Sequence, residues 1–359
     1  MSDGMTLTFP LSEHFFPRLA LTREEIEHYK CQSRKRLKEL LRIVQDTDHT
    51  YTWKAMKTKA GYKVRKTRHL DYRRATKKTY EAVLIKASVL VRDTCPEEIL
   101  LAIARSKTTE SRSAMAYLHG NTFVDGRTLL TLPSSVAAKR PSYSYRAIKW
   151  AAYRGNKSKL ADFASLEYAG TRCRSNAVGF CVQSSIHRER ELPELNDFGI
   201  VRGSTSRSGV IISRAHEANT YQVTSVGVVD GLVQSNERGL IEEILQERVG
   251  AIFRLQGLLD RQRVSCLKVL QPTAWVPDSE RKACAVCTKG FILRRKHHCR
   301  GCGEVVCSSC APLRHPEGHD DSKTRVRVCL TCMMYARFEV IESATENTSI
   351  SSWMGKLDG

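Results

Sequence analysis

Eight of the thirteen cysteines in this 359-residue chain fall between Cys284 and Cys332, and their spacing constrains the fold more than any other feature. They form four CxxC pairs, Cys284/Cys287, Cys299/Cys302, Cys307/Cys310 and Cys329/Cys332. Two residues between the thiolates allow both sulfur atoms of a pair to reach one tetrahedral ion, and two pairs complete a site of four thiolates. The spacing therefore predicts two zinc ions per chain. Because four protein ligands leave no open coordination position, both ions are expected to be structural rather than catalytic.

Spacing alone leaves the pairing of these cysteines open. Alternating pairing, in which the first pair joins the third and the second joins the fourth, would match RING, PHD and FYVE fingers alike. Adjacent pairing would resemble a double zinc ribbon. In either arrangement, a module of roughly 60 residues has little apolar core, so the metal is expected to supply much of its folding free energy.

Three short motifs around the cysteines separate these finger families. Trp275-Val-Pro-Asp278 precedes the first pair, Arg295-Lys-His-His-Cys-Arg300 spans the third cysteine, and Arg327-Val-Cys329 contains the seventh. They match in order the WxxD, R(R/K)HHCR and RVC motifs of FYVE fingers, so residues 275–335 resemble a complete FYVE finger. RING and PHD fingers normally place a histidine among the zinc ligands, whereas cysteine fills every ligand position here.

The FYVE resemblance implies a cysteine pairing and a ligand. One zinc would be bound by Cys284, Cys287, Cys307 and Cys310, and the other by Cys299, Cys302, Cys329 and Cys332. The ligand would be phosphatidylinositol 3-phosphate, whose phosphate requires several charged donors. The residues implied in headgroup binding are Trp275, Asp278, Arg295, Lys296, His297, His298, Arg300 and Arg327.

The resemblance also assigns roles within this set. Arg300 and Arg327 would bind the 3-phosphate, and Arg295 and Lys296 would bind the 1-phosphate side. His297 and His298 would donate hydrogen bonds to phosphate or ring hydroxyls. Asp278 would accept hydrogen bonds from ring hydroxyls. Its carboxylate would also repel headgroups that carry a phosphate at those positions.

Ile292 and Leu293 precede the basic motif, and by resemblance they form an exposed loop that enters the bilayer. Burial of two such side chains would be worth roughly 3–5 kcal/mol at most. The stretch from Phe291 to the two histidines is shorter than in many members of the family. Arg294 also stands where an apolar residue is common, so the sequence leaves the depth of insertion open.

The first 270 residues contain no cysteine pair, and their periodicity predicts a mixed helix and strand domain. Thr22 and Glu25 have the spacing of a capping box at the start of a helix over 22–45. Another helix is predicted over 94–105, and apolar residues at helical spacing predict a long helix over 238–263. Strands are predicted at 80–92, 145–153, 162–169, 177–187, 199–203, 208–214 and 220–228. Residues 52–79, with eleven Lys or Arg and one acid, are interpreted as a solvated strand pair or loop.

This order of elements resembles the START helix-grip fold, in which a long C-terminal helix closes a cavity in a curved antiparallel sheet. The segment Asp162-Phe-Ala-Ser-Leu-Glu-Tyr-Ala-Gly170 supports the resemblance, because similar text occurs in START-like domains that precede FYVE fingers in oomycete proteins. The predicted class is therefore α+β, with a START-like domain followed by a small two-zinc finger. The predicted boundaries are a tail over 1–21, the START-like domain over 22–268, a linker over 269–274, the finger over 275–335 and a tail over 336–359.

Charge and composition narrow the partners and the compartment. The formal net charge of +20 favours polyanionic partners, either nucleic acid or an anionic membrane surface. The longest apolar stretch, Ile99 to Ala104, is far shorter than the roughly 20 residues of a spanning helix. Cysteines without a secretory signal favour a reducing compartment. The five outside the pairs are interpreted as small buried hydrophobic residues: Cys31, Cys95, Cys173, Cys181 and Cys266.

These observations favour a cytoplasmic protein that binds membranes carrying phosphatidylinositol 3-phosphate, peripherally on endosomes. Two alternatives stay open for the START-like domain. It is expected either to bind a hydrophobic lipid, which it would hold or transfer, or to be a filled scaffold without a ligand. The alternatives are a zinc-dependent nucleic-acid-binding protein, disfavoured because the finger lacks interleaved aromatic residues, and a RING-like interaction module. A homodimer stays open. Since the sequence has no nucleophile elbow, P-loop or open metal site, no enzymatic activity is expected.

Overall fold

The computed structural model describes residues 7–56, 63–73, 77–132, 144–171, 176–229, 235–292, 294–318 and 324–340. The chain divides into two compact units, Met1–Leu255 and Gln256–Gly359. Across the described ranges, none of the helices combines the length and the apolar character needed to cross a lipid bilayer.

The first unit is built on a ten-stranded sheet whose strands run β1-β2-β3-β10-β9-β7-β6-β5-β4 in space, with β8 paired to β6. The strands are β1 (Lys54–Met56), β2 (Val64–Arg73), β3 (Lys78–Val91), β4 (Phe123–Leu132), β5 (Ser144–Arg154), β6 (Leu160–Thr171), β7 (Ala177–Ser185), β8 (Ile200–Arg202), β9 (Ser208–Arg214) and β10 (Tyr221–Val229). Among the described strands, the pairing of β8 with β6 is parallel and the others are antiparallel. The predicted α+β class with an antiparallel sheet is therefore confirmed.

Helices precede, interrupt and follow this sheet: α1 (Arg23–Gln45), α2 (Pro96–Ile103), α3 (Thr108–His119) and α4 (Ser235–Gly250). The predicted capping box of α1 is confirmed. The Thr22 hydroxyl accepts from the Glu25 backbone N–H at 3.2 Å, and the Glu25 carboxylate accepts from the Thr22 N–H at 2.8 Å. These bonds satisfy donors that a helix start would otherwise leave unpaired.

Helices α1 and α4 lie on opposite faces of the sheet. Leu40 of α1 packs in one core cluster with Val226 and Val228 of β10. Gly227 stands between those two valines, so strand alternation turns it to the other face. A Cβ at Gly227 would lie 2.9 Å from Val249 of α4, which shows how closely that helix approaches the strand.

The N-terminal segment is part of the core, although the sequence predicts a tail over 1–21. Leu11, Phe16 and Leu19 are each no more than 7% exposed. The Phe16 ring lies 5.2 Å from the buried ring of Trp150, and the Leu11 N–H donates to Asp125 at 2.8 Å. The segment covers an apolar sheet face that would otherwise contact water.

The long helix predicted over 238–263 is interrupted. Helix α4 ends at Gly250, a 3₁₀ turn spans Ala251–Arg254, and α5 continues over Leu255–Cys266. Glycine is a poor helix former, and the tighter turn allows both Ala251 and Ile252 to be buried.

The isolated cysteines do not share one environment. Cys181 is buried, as predicted, whereas Cys31 and Cys266 are exposed and Cys95 is intermediate. Cys31 occupies a position of α1 that faces away from the core, so the general preference of cysteine for the interior is wrong there. Cys173 lies outside the described residues.

The second unit contains α5 and the cysteine-rich module. Two short hairpins, β11 (His297–His298) with β12 (Val305–Val306) and β13 (Leu313–Arg314) with β14 (Val326–Arg327), precede a helix over 330–340, here α6. Val264 of α5 belongs to the apolar cluster of this module. The predicted C-terminal tail begins inside α6, where Ala336 is buried, and its residues beyond 340 lie outside the described part of the chain.

The predicted linker is attached to the module by hydrogen bonds. The Leu270 N–H donates to the Arg300 carbonyl at 2.8 Å, and the Trp275 indole N–H donates to the Leu270 carbonyl at 3.2 Å. Residues 269–274 therefore position Trp275 beside the basic motif.

Candidate functional site

The eight paired cysteines form two clusters of four thiols. The clusters are Cys284, Cys287, Cys307 and Cys310, and Cys299, Cys302, Cys329 and Cys332, with all ligand atoms of a cluster within 4.8 Å of one another. This is the alternating arrangement that the FYVE resemblance implies. It joins cysteine pairs that are not adjacent in the sequence, and the spacing alone could not decide between this pairing and the adjacent one.

The distances between sulfur atoms fit zinc. The Cys287 and Cys307 sulfurs are 3.9 Å apart, those of Cys299 and Cys332 are 3.7 Å apart, and those of Cys302 and Cys329 are 3.9 Å apart. A tetrahedron with Zn–S bonds of about 2.3 Å has edges of about 3.8 Å. The sulfur atoms of each cluster are therefore close enough to share one ion, and four thiolates complete its coordination.

Backbone donors around the sulfur atoms prepare them for a metal. The Cys307 N–H donates to the Cys284 sulfur at 3.4 Å, and the Cys329 N–H donates to the Cys299 sulfur at 3.2 Å. Hydrogen bonds of this kind stabilise the negative charge of a thiolate. Gly303, with φ of 75°, closes the turn after Cys302 in a conformation that favours glycine.

Arg300, Trp275 and His298 form a stack at the basic motif. The Arg300 guanidinium carbon lies 3.9 Å from the centre of the Trp275 ring, and that ring stacks on His298 with centroids 5.0 Å apart and an angle of 19° between the planes. His298 Nε2 lies 2.9 Å from the Val276 carbonyl oxygen. The stack holds the arginine in one orientation before any ligand arrives, and sequence reasoning did not identify it.

Arg300 and Arg327 are neighbours through the backbone, because the Arg300 N–H donates to the Arg327 carbonyl at 2.8 Å. The Arg300 guanidinium donates to the His298 carbonyl at 3.3 Å, and that of Arg327 donates to the Ala311 carbonyl at 2.6 Å. Neither guanidinium forms an ion pair within the described ranges. Two arginines with spare donors and no carboxylate partner create a site for an anion.

His297 responds to this concentration of positive charge. Its own burial, followed by the charges of Arg327, Arg295 and Arg300, lowers the pKa of the imidazole. The three arginines that the motifs single out therefore converge on one imidazole.

Asp278 and Lys296 lie at the edge of the same site. The Lys296 ammonium donates to the Asp278 carbonyl at 2.6 Å, which connects the WxxD motif to the basic run. The Asp278 carboxylate is 59% exposed and lies 3.6 Å from His298 Nε2. Because more than half of this side chain is exposed, the carboxylate is accessible to hydrogen-bond donors of a ligand.

The loop before the basic run presents Ile292 to solvent. Its side chain is 96% exposed, the largest value among the exposed apolar residues of the described chain. Leu293 lies outside the described residues, and Arg294 and Arg295 are exposed. An apolar side chain in water next to exposed arginines is typical of a loop that contacts an anionic membrane.

The first unit contains a cavity between α4 and the sheet. It has a volume of about 100 Å³, and its lining includes Leu118, His119, Val223, Leu245, Arg248 and Val249. Burial, followed by the charges of Arg248 and Arg254, lowers the pKa of His119 to about 3. The imidazole in the cavity wall is therefore neutral at pH 7. The sequence left open whether this unit holds a cavity or a filled core, and it identified none of these lining residues.

Comparison with known proteins identifies the cysteine-rich module of the second unit. Residues 274–337 match the FYVE zinc finger family. Over 78 residues, 21% of this chain, the sequence is 40% identical to "Lateral signaling target protein 2 homolog" of Brugia malayi, of which the match spans 13%. Over 66 residues, 18% of this chain, it is 44% identical to "RUN and FYVE domain-containing protein 2" of Homo sapiens, of which the match spans 11%.

Solved structures resemble each unit separately. Human StAR-related lipid transfer protein 5 is similar over 65% of this chain and 97% of that chain, at 12% identity and a TM-score of 0.41. The LM5-1 FYVE domain from Leishmania major is similar over 19% of this chain and 82% of that chain, at 28% identity and a TM-score of 0.16.

The sequence motifs, the two clusters of four sulfur atoms and the family match agree on the C-terminal module. Residues 274–337 of this chain are a FYVE zinc finger that binds two zinc ions.

Proposed function

We propose that this protein docks peripherally on endosomal membranes by binding phosphatidylinositol 3-phosphate through its FYVE finger. The observation that carries the proposal is the pair Arg300 and Arg327, whose guanidinium groups donate hydrogen bonds to carbonyls and, within the described residues, form no ion pair with a carboxylate. A phosphate monoester is a dianion or nearly so, and it binds best where several charged donors converge. The family match supports membrane targeting in general, and the arginine pair supports a phosphorylated headgroup.

The surroundings of the arginine pair support the choice of the 3-phosphate isomer. With the phosphate on Arg300 and Arg327, the inositol ring would extend toward Asp278, whose exposed carboxylate can accept from ring hydroxyls. A phosphate at those ring positions would face the same carboxylate and be repelled. Lys296 and Arg295 would then contact the phosphate that joins the headgroup to the lipid.

Ile292 supplies the apolar part of the proposed contact. Since its side chain is 96% exposed, its transfer into acyl chains would remove nearly all of its surface from water. Full burial of one such side chain is worth about 1.5–3 kcal/mol, which adds to the headgroup interaction. The net charge of +20 would also increase the rate of association with an anionic surface.

Co-sedimentation of the zinc-loaded full chain with vesicles tests the proposal. Vesicles of phosphatidylcholine alone are compared with vesicles that also carry phosphatidylinositol 3-phosphate, the 4-phosphate isomer, or phosphatidylserine at equal charge. We expect selective binding to the 3-phosphate that persists when the salt concentration is raised. Equal binding to all three anionic lipids, with a steep loss in salt, would instead indicate a nonspecific polyanion surface.

We also propose that the first unit binds a ligand in the cavity beneath α4. The supporting observation is the cavity of about 100 Å³ between that helix and the sheet, lined largely by aliphatic side chains. Protein interiors are normally filled, and apolar cavities of comparable size accept small ligands. Both proposed roles are binding roles, and neither is catalytic. Native mass spectrometry of the full chain tests for a ligand, because a retained molecule would appear as added mass.

A further inference from the structure

Arg248 points from α4 toward the sheet, although it carries a permanent charge. One of its nitrogen atoms, Nη2, donates to the Gln183 amide oxygen of β7 at 2.8 Å. The guanidinium carbon lies 4.8 Å from the ring centres of both Tyr153 and Phe163. The positive charge is thus held against two aromatic rings, and Arg248 itself lines the cavity.

The nearby carboxylate is already neutralised by another cation. Glu167, whose side chain is 2% exposed, forms an ion pair with Lys149 at 2.7 Å. It also accepts from the Tyr145 hydroxyl and from the Gln183 amide at 2.6 Å. Within the described residues, Arg248 has no ion pair of its own, so one positive charge beside the cavity lacks a counterion.

Three buried polar atoms around this charge have no hydrogen-bond partner of normal geometry in the part of the chain that the structure describes: Arg248 Nη1, the Tyr153 hydroxyl and His119 Nδ1. Arg248 nevertheless lies close enough to the Tyr153 hydroxyl to oppose the rise in its pKa that burial causes. The His119 and Tyr153 rings are 5.4 Å apart, and Arg248 lies over the Tyr153 ring. Buried polar groups in proteins are normally satisfied, so each unpaired atom needs an explanation. His119 and Arg248 line the cavity of about 100 Å³, and Tyr153 lines a smaller cavity that also borders Arg248. The unpaired atoms therefore indicate a polar group of a ligand where the two cavities meet.

The space beside the polar atoms is small. Its larger part, beneath α4, is lined mainly by aliphatic side chains, whereas its smaller part is also lined by the charged residues Lys149 and Glu167. A second cavity of about 50 Å³, lined in part by Tyr153 and Phe163, adjoins the cavity of about 100 Å³, and both share Arg248 and Gln183 in their walls. A dry cavity of about 150 Å³ accepts a molecule as large as benzene. A sterol or a two-chain phospholipid does not fit this space.

We propose that the cavity binds a compact monocarboxylate whose carboxylate pairs with Arg248 and accepts from the Tyr153 hydroxyl. Its short apolar tail lies against Leu245, Val249 and Val223. The carboxylate supplies both the missing counterion and an acceptor for the spare donors. This inference rests on the proposal that the first unit binds a ligand, and it specifies the chemical class of that ligand.

Titration calorimetry of the zinc-loaded full chain with hexanoate and with 1-hexanol tests the inference, since the two probes share a tail length and differ in charge. We expect hexanoate to bind about ten- to hundredfold more tightly than 1-hexanol, the range of a charge-assisted hydrogen bond. Arg248→Met should abolish this difference. Arg238→Gln is the matched control, because Arg238 lies on the same helix, pairs with Glu81 outside the cavity and should leave the difference unchanged.

Tyr153→Phe provides a second variant that keeps the buried ring and removes a single hydroxyl, and it is therefore expected to fold. It should weaken hexanoate binding about three- to tenfold and leave 1-hexanol unaffected. Equal affinity of the two probes in the wild type, or an unchanged preference in Arg248→Met, overturns the ligand class but not ligand binding by the unit. Binding of a two-chain lipid in place of hexanoate overturns the size of the ligand. Absence of binding by every probe overturns both proposals.

Discussion

Replacement of Arg300 by alanine is expected to weaken binding to phosphatidylinositol 3-phosphate while the finger stays folded. The guanidinium has one carbonyl partner, at 3.3 Å, and is held over the Trp275 ring at 3.9 Å, so its other donors are available to a phosphate. Hydrogen bonds to charged groups contribute about 1.5–3 kcal/mol each. Loss of one of the two arginines at the phosphate should therefore raise the Kd about ten- to 150-fold.

The structural cost of the same change is smaller. The stack on Trp275 contributes about 0.5–1 kcal/mol and the bond to the His298 carbonyl about 0.5–1.5 kcal/mol. A structural zinc ion stabilises a finger by about 10–16 kcal/mol. The variant should thus retain two zinc ions and the fold of the second unit, and a change in vesicle binding can be assigned to the phosphate contact.

The assay is vesicle co-sedimentation with a control that removes the same charge elsewhere. Arg281 lies in the same finger and pairs with Glu304 at 2.8 Å, so Arg281→Ala lowers the net charge equally without removing a free donor. We expect Arg281→Ala to bind within about twofold of the wild type, as for an exposed pair. If the two variants bind the 3-phosphate equally well, or if Arg300→Ala matches the wild type with intact zinc content, the phosphate lies elsewhere and the reasoning is refuted.

Four further outcomes follow from the structure. Metal analysis should return two zinc ions per chain, and removal of zinc by a chelator should unfold the second unit; a folded protein with one ion or none would contradict the two clusters. Ile292→Ala removes three carbon groups worth about 0.8 kcal/mol each, so vesicle affinity should fall by at most about 60-fold. Replacement of the exposed Leu313 by alanine is the control and should have little effect. Equal losses in the two variants would place the inserting loop elsewhere. Asp162→Ala should lower the free energy of unfolding of the first unit by about 3–5 kcal/mol in denaturant titrations, because it leaves the Arg202 guanidinium, whose side chain is 10% exposed, without its two bonds of 2.9 Å. A loss no larger than that of the exposed Asp197→Ala would show that the pair is not required. The pKa of His119 is about 3 in the folded protein, against an ordinary value of 6.5, so between these pH values the unfolded chain binds a proton that the folded chain does not. The free energy of unfolding should therefore fall as pH falls from 6.5 toward 3. His119→Gln should reduce this slope, and an identical slope in the variant would be evidence against a buried neutral imidazole.

The zinc chemistry and the strands of the sheet could be predicted because they depend on neighbours in the sequence. Two residues between cysteines determine whether two sulfur atoms can share an ion, whatever the rest of the chain does. The alternation of side chains predicted a strand over 208–214, and the structure has a strand over Ser208–Arg214. In β4, by contrast, Asp125-Gly126 resembles a turn. The Asp125 carboxylate can be buried within a strand because it pairs with Arg112 at 2.7 Å and accepts from the Leu11 N–H at 2.8 Å.

Features that depend on distant contacts could not be predicted. Leu11, Phe16 and Leu19 follow no helical or strand period, so their burial against the face of Trp150 has no signal in the local pattern. Arg248 occupies a helix position where an arginine would ordinarily be assigned to solvent, and it points inward only because Gln183, Tyr153 and Phe163 surround it there.

The sequence by itself determined which residues could carry charge, bind metal and alternate between two faces. The tertiary structure decided which cysteine pairs share an ion, which arginines lack a carboxylate, and how much space remains beneath α4. The physical reason is that ligand spacing and side-chain periodicity are local properties of the chain. Charge compensation and cavity volume are instead set by side chains that lie far apart in the sequence and meet only after folding.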